Sequence, residues 1–295
     1  MKNNKQAVLL AILAVILWST VATAFKKSLM LLSPFDLLLL SSIWSVVLLF
    51  IVVIVQYRGF SGFILTRKTF RIYLLGGLLN PGSYYLVLFA SYDLLPAQIA
   101  QPLNYTWPLM LVLLSVPILK KRPTKQDAIS LAICLAGLVL ISQGGNRFQM
   151  GALSLKGIFL ALLSAVIWAV YWLAGQRHSG SESSSLFWNF FLVIPLLVLL
   201  KPMISPGFPP LNSSVLLWTA WVGLFEMGIT FVIWGLALAK ADQPARISHL
   251  VYLSPFLSLL WISLILKETI ALTTVAGLFI IIIGIFVKEI RSVKN

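Results

Sequence analysis

Two stretches of this chain carry the same punctuation 147 residues apart. Residues 103–122 read LNYTWPLMLVLLSVPILKKR and residues 250–269 read LVYLSPFLSLLWISLILKET, so Leu103, Tyr105, Pro108 and Lys120 fall on Leu250, Tyr252, Pro255 and Lys267. The likeness runs further. LAILAVILW at 10–18 matches LALLSAVIW at 160–168, with Trp18 over Trp168 at a shift of 150. Gly77 and Gly82 fall on Gly223 and Gly228 at a shift of 146, and Ser130 and Gly137 on Gly277 and Gly284 at 147. The spacing divides the chain into two copies, residues 1–147 and 148–295.

What each copy can be follows from its apolar content. Of the 295 residues, 60% are hydrophobic and only 10% charged, against roughly 25% charged in a soluble domain. A bilayer core needs about 20 apolar residues per helix. Runs of that kind lie near 7–25, 35–56, 72–92, 97–119, 126–142, 154–175, 184–200, 214–239, 244–266 and 270–288. The expected fold is therefore an all-α integral membrane bundle of ten transmembrane helices. Five spans per copy is an odd number, so the second copy enters the membrane upside down. Inverted repeats place a binding site near the bilayer midplane and permit alternating access by rocking of one repeat against the other.

The first span imitates a secretory signal, with Lys2 and Lys5 before an apolar run and Ala22-Thr23-Ala24 after it. Its duplication at 160–168 argues that it is a retained helix. Lysines and arginines divide sixteen to six between the two sides, the richer side holding both termini; the positive-inside rule puts both termini in the cytoplasm. The strongest votes are Arg58, Arg67, Lys68 and Arg71, then Lys120, Lys121, Arg122 and Lys125. Flanking charges of this kind account for the +14 formal charge, and no basic amphipathic helix or aromatic-basic interleave calls for a nucleic acid. The single cysteine, Cys134, excludes an intrachain disulfide.

Several residues are of the wrong type for a merely lipid-facing helix. Pro108 removes the hydrogen bond to the carbonyl of Asn104, and Pro255 does the same for Val251. In hydrocarbon such groups need protein, water or substrate, so kinked fourth and ninth helices are expected to wrap a wet cavity containing Asn104, unless a serine or threonine satisfies the kink. Trp18, Tyr84, Tyr85, Tyr105, Trp107, Trp168, Tyr171, Trp172, Trp234 and Tyr252 supply aromatic surface. Most membrane tryptophans and tyrosines form interfacial belts, but Trp18, Trp107 and Trp168 fall nearer mid-span. Trp168, Tyr171 and Trp172 share one helical face. All of these but Trp234 are candidate substrate contacts.

Glu226 is the one acidic side chain near the centre of a span. A charge at that depth costs about 3 kcal/mol on insertion scales, which makes it a functional candidate. It could couple transport to protons, hold a cationic group, or be a neutral acid bonded within the bundle; His249 could pair with it. No lysine or arginine sits at mid-span to hold a desolvated phosphate, which argues against phosphorylated cargo. Ala128, Ala132 and Ala136, and Gly277 with Gly284, form small-residue faces for close packing within or between protomers, leaving a homodimer open. There is no HExxH, GxSxG, Walker loop or Cys/His metal spacing, and His178 lies in a loop. No enzyme activity, cofactor or metal is expected. A non-transporting membrane structural protein is a third reading, which gives no reason for an inverted duplication that carries prolines and a buried acid.

On ILWST at 16–20, VIWAVY at 166–171, GITFVIWGLAL at 228–238 and YLSPFLSLLWISLILKET at 252–269, the chain resembles the drug/metabolite transporter superfamily, specifically its EamA-type ten-helix members, over nearly its whole length. NYTWP at 104–108 and VIWAVY are most similar to the branch that exports aromatic amino acids. The chain departs from the usual pattern in two places. Lys120-Lys121 replace the acidic residue that ends the fourth span, whereas the second copy keeps Glu268, and Ser41 and Ser42 stand where an arginine is common. The resemblance implies an exporter of small neutral or zwitterionic solutes, aromatic or bulky neutral amino acids first, in a bacterial inner membrane. The alternative is export of lipophilic cations, held by Glu226 and an aromatic cage.

Overall fold

The computed structural model describes residues 3–119, 124–142, 154–175 and 181–292. Lys120, Lys121, Arg122, His178 and the 143–153 connection, where the two copies divide, lie outside the described residues. Among those described, the chain is helical throughout: α1 (Asn4–Leu29), α2 (Pro34–Tyr57), α3 (Arg67–Gly77), α4 (Tyr84–Leu94), α5 (Ala97–Asn104), α6 (Trp107–Leu119), α7 (Lys125–Ser142), α8 (Leu155–Gly175), α9 (Glu182–Ile204), α10 (Ser213–Trp221), α11 (Ile229–Lys240), α12 (Pro244–Ser248), α13 (Ser254–Trp261) and α14 (Leu272–Ser292). Seven helical segments are long and apolar enough to cross a membrane unaided. The broken pair α5–α6 and the shorter apolar helices α7 and α14 complete the ten spans.

Helix starts follow from capping chemistry, in which a side-chain oxygen accepts from a backbone N–H left free in the first turn. Asn3 caps α1, Ser33 caps α2 ahead of Pro34, Ser181 caps α9 and Asn212 caps α10. Arg58 ends α2 in the left-handed region, with Gly59 beside it.

The two repeats are not separate lobes, because the densest helix packing runs between them. In one direction α1 packs on α11 and α13; in the other α8 packs on α4 and α6. Equivalent helices also pair with each other. Along α7 and α14, Ser130 Oγ donates to the Gly284 carbonyl at 2.6 Å, and Cys134 Sγ lies 3.5 Å from the Ile281 carbonyl. A Cβ on either Gly137 or Gly277 would meet the other's carbonyl oxygen at 2.6 Å. Numbers fall on α14 as they rise on α7, so the two counterparts run antiparallel. The same holds for α2 and α9, where Asp36 pairs with Lys201 at 2.9 Å and Gln56 accepts from Ser183 at the opposite end. Antiparallel counterparts are what an inverted repeat requires.

Gly277 and Gly284 form a packing seam as expected. Ala128, Ala132 and Ala136 form no seam within this chain: all three are exposed, and α7 meets α14 through Ser130, Cys134, Gly137 and Ile141. The outer surface of the bundle is apolar, with Leu9, Val47, Val55, Leu199 and Phe279 exposed, while Ser19, Ser41, Ser45, Asn104 and Glu226 are buried. That inside-out distribution suits a protein in lipid.

Candidate functional site

Four of the ten spans are interrupted, as two symmetric pairs. The fourth span breaks between Asn104 and Trp107, placing Pro108 in the first turn of α6. The ninth passes through a tight 3-10 turn at His249–Leu253 before α13 begins, with Pro255 in its first turn. The prolines thus start new helices where kinks were expected, because a first-turn residue has no intrahelical N–H bond to lose. The Val251 carbonyl is not left free as expected: the 3-10 geometry lets the Ser254 backbone N–H donate to it.

The third and eighth spans break as well, which the sequence reading missed. Leu78–Ser83 and Val222–Glu226 form wide π-type turns, within which Asn80 leaves helical geometry (φ −137°, ψ 111°) and after which Gly228 does so (φ −132°, ψ −104°). Carbonyls released there find hydroxyls: Ser83 Oγ donates to Leu78 at 2.8 Å, Ser45 Oγ to Met227 at 2.8 Å, and Thr230 Oγ1 to Phe225. At Gly82 and Gly228 these turns leave little room for a side chain. A Cβ on Gly82 would stand 3.1 Å from the Gly77 carbonyl oxygen, and one on Gly228 3.0 Å from that of Gly223.

Between the breaks lies an aromatic cluster centred on Trp168 of α8. Its ring is 4.5 Å from Tyr84, 5.6 Å from Tyr171 in stacked geometry, 5.9 Å from Phe231 and 6.1 Å from Trp172. Phe231 in turn lies 5.4 Å from Trp18, which packs 5.5 Å from Trp234. The equivalent tryptophans of the two repeats therefore meet on one phenylalanine. Such ring pairs contribute about 0.5–1.5 kcal/mol each beyond burial. Tyr85, 4.7 Å from Tyr84, extends the cluster towards the eighth span.

Polar groups border these rings. The Tyr85 hydroxyl donates to Glu226 Oε1 at 3.3 Å, and the Tyr84 hydroxyl to Asn104 Oδ1 at 3.4 Å. Asn104 Nδ2 donates to Ser164 Oγ at 2.9 Å. Both tyrosines, Asn104 and Glu226 are buried, Glu226 at 9% exposure. A carboxylate offers about four acceptor positions, so one long bond leaves most of the capacity of Glu226 unused. Tyr85 takes the place proposed for His249, whose ring packs edge-on to Phe286 at 5.0 Å. Tyr252 is buried against the same Phe286, 5.5 Å away.

The remaining candidates sit at the margin. Tyr105 lies in the turn between α5 and α6 and is half-buried. Trp107 packs on the main core from the start of α6. Trp172 is 37% exposed, so only its edge joins the cluster. Phe231, Ser164, Asn189 and Asn80 belong to this region and were not foreseen. For Asn80 a signal was present: Gly77-x-x-Asn80-x-Gly82 overlays Gly223-x-x-Glu226-x-Gly228.

Two open spaces lie away from Asn104, around which a wet cavity was expected. One cavity of about 470 Å³ is bordered by Lys26, Asp93, Gln98, Lys267 and Glu268, at the ends of the spans. Another, of about 660 Å³, is an apolar groove between α2 and α9 lined by Phe50, Phe63, Phe187 and Trp188. The aromatic cluster borders neither.

Comparison with known proteins agrees with this architecture. An uncharacterized transporter of Bacillus subtilis, YvbV, is 25% identical over 77% of this chain and 74% of its own length. The aromatic amino acid exporter YddG of Ancylobacter novellus is 26% identical over 88% of both chains. A solved crystal structure superposes with a TM-score of 0.66 over 98% of this chain and 97% of the other, at 24% identity, and so speaks for the fold alone. The EamA-like transporter family matches residues 5–143 and again 155–288. With two family units covering most of its length, the chain is a multi-pass membrane protein and belongs to the EamA-like transporter family.

Proposed function

We propose that the protein is a secondary transporter that exports small neutral or zwitterionic organic solutes by alternating access, with aromatic and bulky neutral amino acids as its leading substrates. The observation that carries this reading is the placement of the Trp168 cluster. It lies between the repeats, beside the breaks of the third and eighth spans, and is bordered by Glu226 and Asn104. Rings from both repeats offer a sandwich for a planar side chain, and the buried carboxylate and amides offer partners for its polar end. Rocking of one repeat would separate the rings from one side of the membrane and then from the other. Trp18, Tyr84, Tyr85, Asn104 and Trp168 would bear most of the contact. The similarity to an aromatic amino acid exporter supports the same substrate class. The uneven charge split favours cytoplasmic termini in a bacterial inner membrane.

A second reading, export of lipophilic cations, is favoured by one observation, the spare acceptor capacity of Glu226 among aromatic rings. Uptake by proteoliposomes of an amino-acid panel and of tetraphenylphosphonium, with and without a pH gradient, separates the two. Saturable uptake of phenylalanine or tryptophan supports the first reading; saturable uptake of the cation with none of any amino acid overturns it.

A further inference from the structure

Asn80 is the least satisfied polar side chain near the aromatic cluster. It is 1% exposed, and neither its amide oxygen nor its amide nitrogen completes a hydrogen bond. Leaving such a group bare in a buried site is costly, and native structures rarely do so without a reason. Its surroundings explain why it stays bare. It adjoins the Tyr171 hydroxyl without reaching hydrogen-bond geometry. Asn189, with its amide turned to satisfy every neighbour, donates to the carbonyls of Ser185 and Tyr73 and accepts from Tyr171 at 3.2 Å. The Tyr171 proton is thereby committed, and Asn80 Oδ1 is left with no donor.

Three further observations set this amide beside the proposed substrate site. It stands on the break of the third span, at the position that Glu226 occupies on the break of the eighth. It adjoins Tyr171, whose ring stacks on Trp168. It is also electrically neutral and carries both a donor and an acceptor, which matches a head group that is itself neutral overall but carries one of each. We propose that Asn80 reads the head group of an α-amino acid, Oδ1 accepting from the ammonium and Nδ2 donating to the carboxylate, while the ring of the substrate lies against Trp168 and Tyr171. This rests on the amino-acid reading above and makes Asn80 the residue that selects zwitterions over singly charged analogues.

The test uses the purified full-length transporter and three probes of matched ring: L-phenylalanine, phenethylamine, which lacks the carboxylate, and 3-phenylpropanoate, which lacks the ammonium. The wild type is expected to bind L-phenylalanine at least about tenfold more tightly than either analogue, each of which forfeits a charge-assisted bond. Asn80→Leu should lower affinity for L-phenylalanine about 10- to 100-fold and for each analogue by a smaller factor, so that the preference collapses. Asn80→Asp keeps the acceptor and loses the donor; it should retain phenethylamine and lose both carboxylates. Equal losses for all three probes, or none, in folded variants overturn the assignment. Should Asn80→Leu, Asn80→Asp and Asn80→Ser all fail to fold, the amide is a structural part of the break and the proposal likewise falls. If the wild type takes up L-phenylalanine and Asn80→Leu matches it throughout, only the role of Asn80 is lost. If the wild type binds none of the three probes, the amino-acid reading itself has failed.

Discussion

Glu226 and Glu268 are the same residue in two different situations. Glu268, in the connection before α14, accepts from the backbone N–H groups of Ala97 at 2.9 Å and Gln98 at 3.2 Å. It thereby caps the start of α5 in the opposite repeat, where Pro96 supplies no side-chain cap. Gln98 answers by donating to the Thr269 carbonyl at 3.1 Å and accepting from Ala271 N at 3.0 Å. Lys26 lies nearby, its Nζ donating to the carbonyls of Tyr92 and Leu95 at 2.6 and 3.0 Å. Glu226, deep in the bundle, has one tyrosine at 3.3 Å. A carboxylate at a helix N-terminus meets free N–H groups and a favourable dipole, so it stabilises. A buried carboxyl with one long bond contributes little to stability, which leaves most of its hydrogen-bonding capacity for another task. The difference separates a structural acid from a candidate working one, on geometry alone.

The comparison can be broken most readily at Glu268. Glu268→Ala strips the cap from α5 and opens the joint between the repeats, which should lower stability by about 1–2 kcal/mol. Thermal or denaturant unfolding in detergent measures this, and an unchanged midpoint would mean that the two carboxylates do not differ as argued. Glu226→Gln should move stability by less than about 1 kcal/mol, because the amide oxygen still accepts from Tyr85. If the acid couples transport to protons, the variant keeps counterflow exchange and loses accumulation driven by a pH gradient. If it holds a cation, binding of lipophilic cations is lost selectively. Full gradient-driven transport with normal cation binding would remove Glu226 from both roles. The smallest effect is expected for Tyr85→Phe, which deletes only the 3.3 Å bond and keeps the ring against Tyr84 and Phe89. A loss of about 0.5 kcal/mol or less fits a weak bond, and a loss comparable to that of Glu268→Ala would show that Glu226 is tied down after all.

Much of this was legible beforehand, for identifiable reasons. Spans are read from run length, and the described helices fall on the expected ones: 35–56 became Pro34–Tyr57, and 154–175 became Leu155–Gly175. Glu226 stood out because a mid-span acid is rare, and Pro108 and Pro255 because proline cannot donate. Asn80 was overlooked because an asparagine before a proline reads locally as an ordinary turn; only its overlay on Glu226 marks it. Phe231 was overlooked because one phenylalanine in an apolar run is like any other until Trp18 and Trp168 are seen to converge on it.

By itself, the sequence determined the solvent, the number of spans and the duplication with its odd count. These depend on composition and period, which are properties of the chain alone. Only the tertiary structure decided that α1 lies on α11 and α8 on α4, that the alanines of α7 face outward, that Glu268 caps α5, and that Tyr85 rather than His249 meets Glu226. All of these but the outward face of α7 join residues from different repeats. In a bilayer every helix satisfies its own backbone and every face is apolar enough to meet either lipid or protein, so local pattern carries little information about which partner a face will choose. That choice is made by close packing of small residues and by a few buried polar groups, and those become visible only when both repeats are in place.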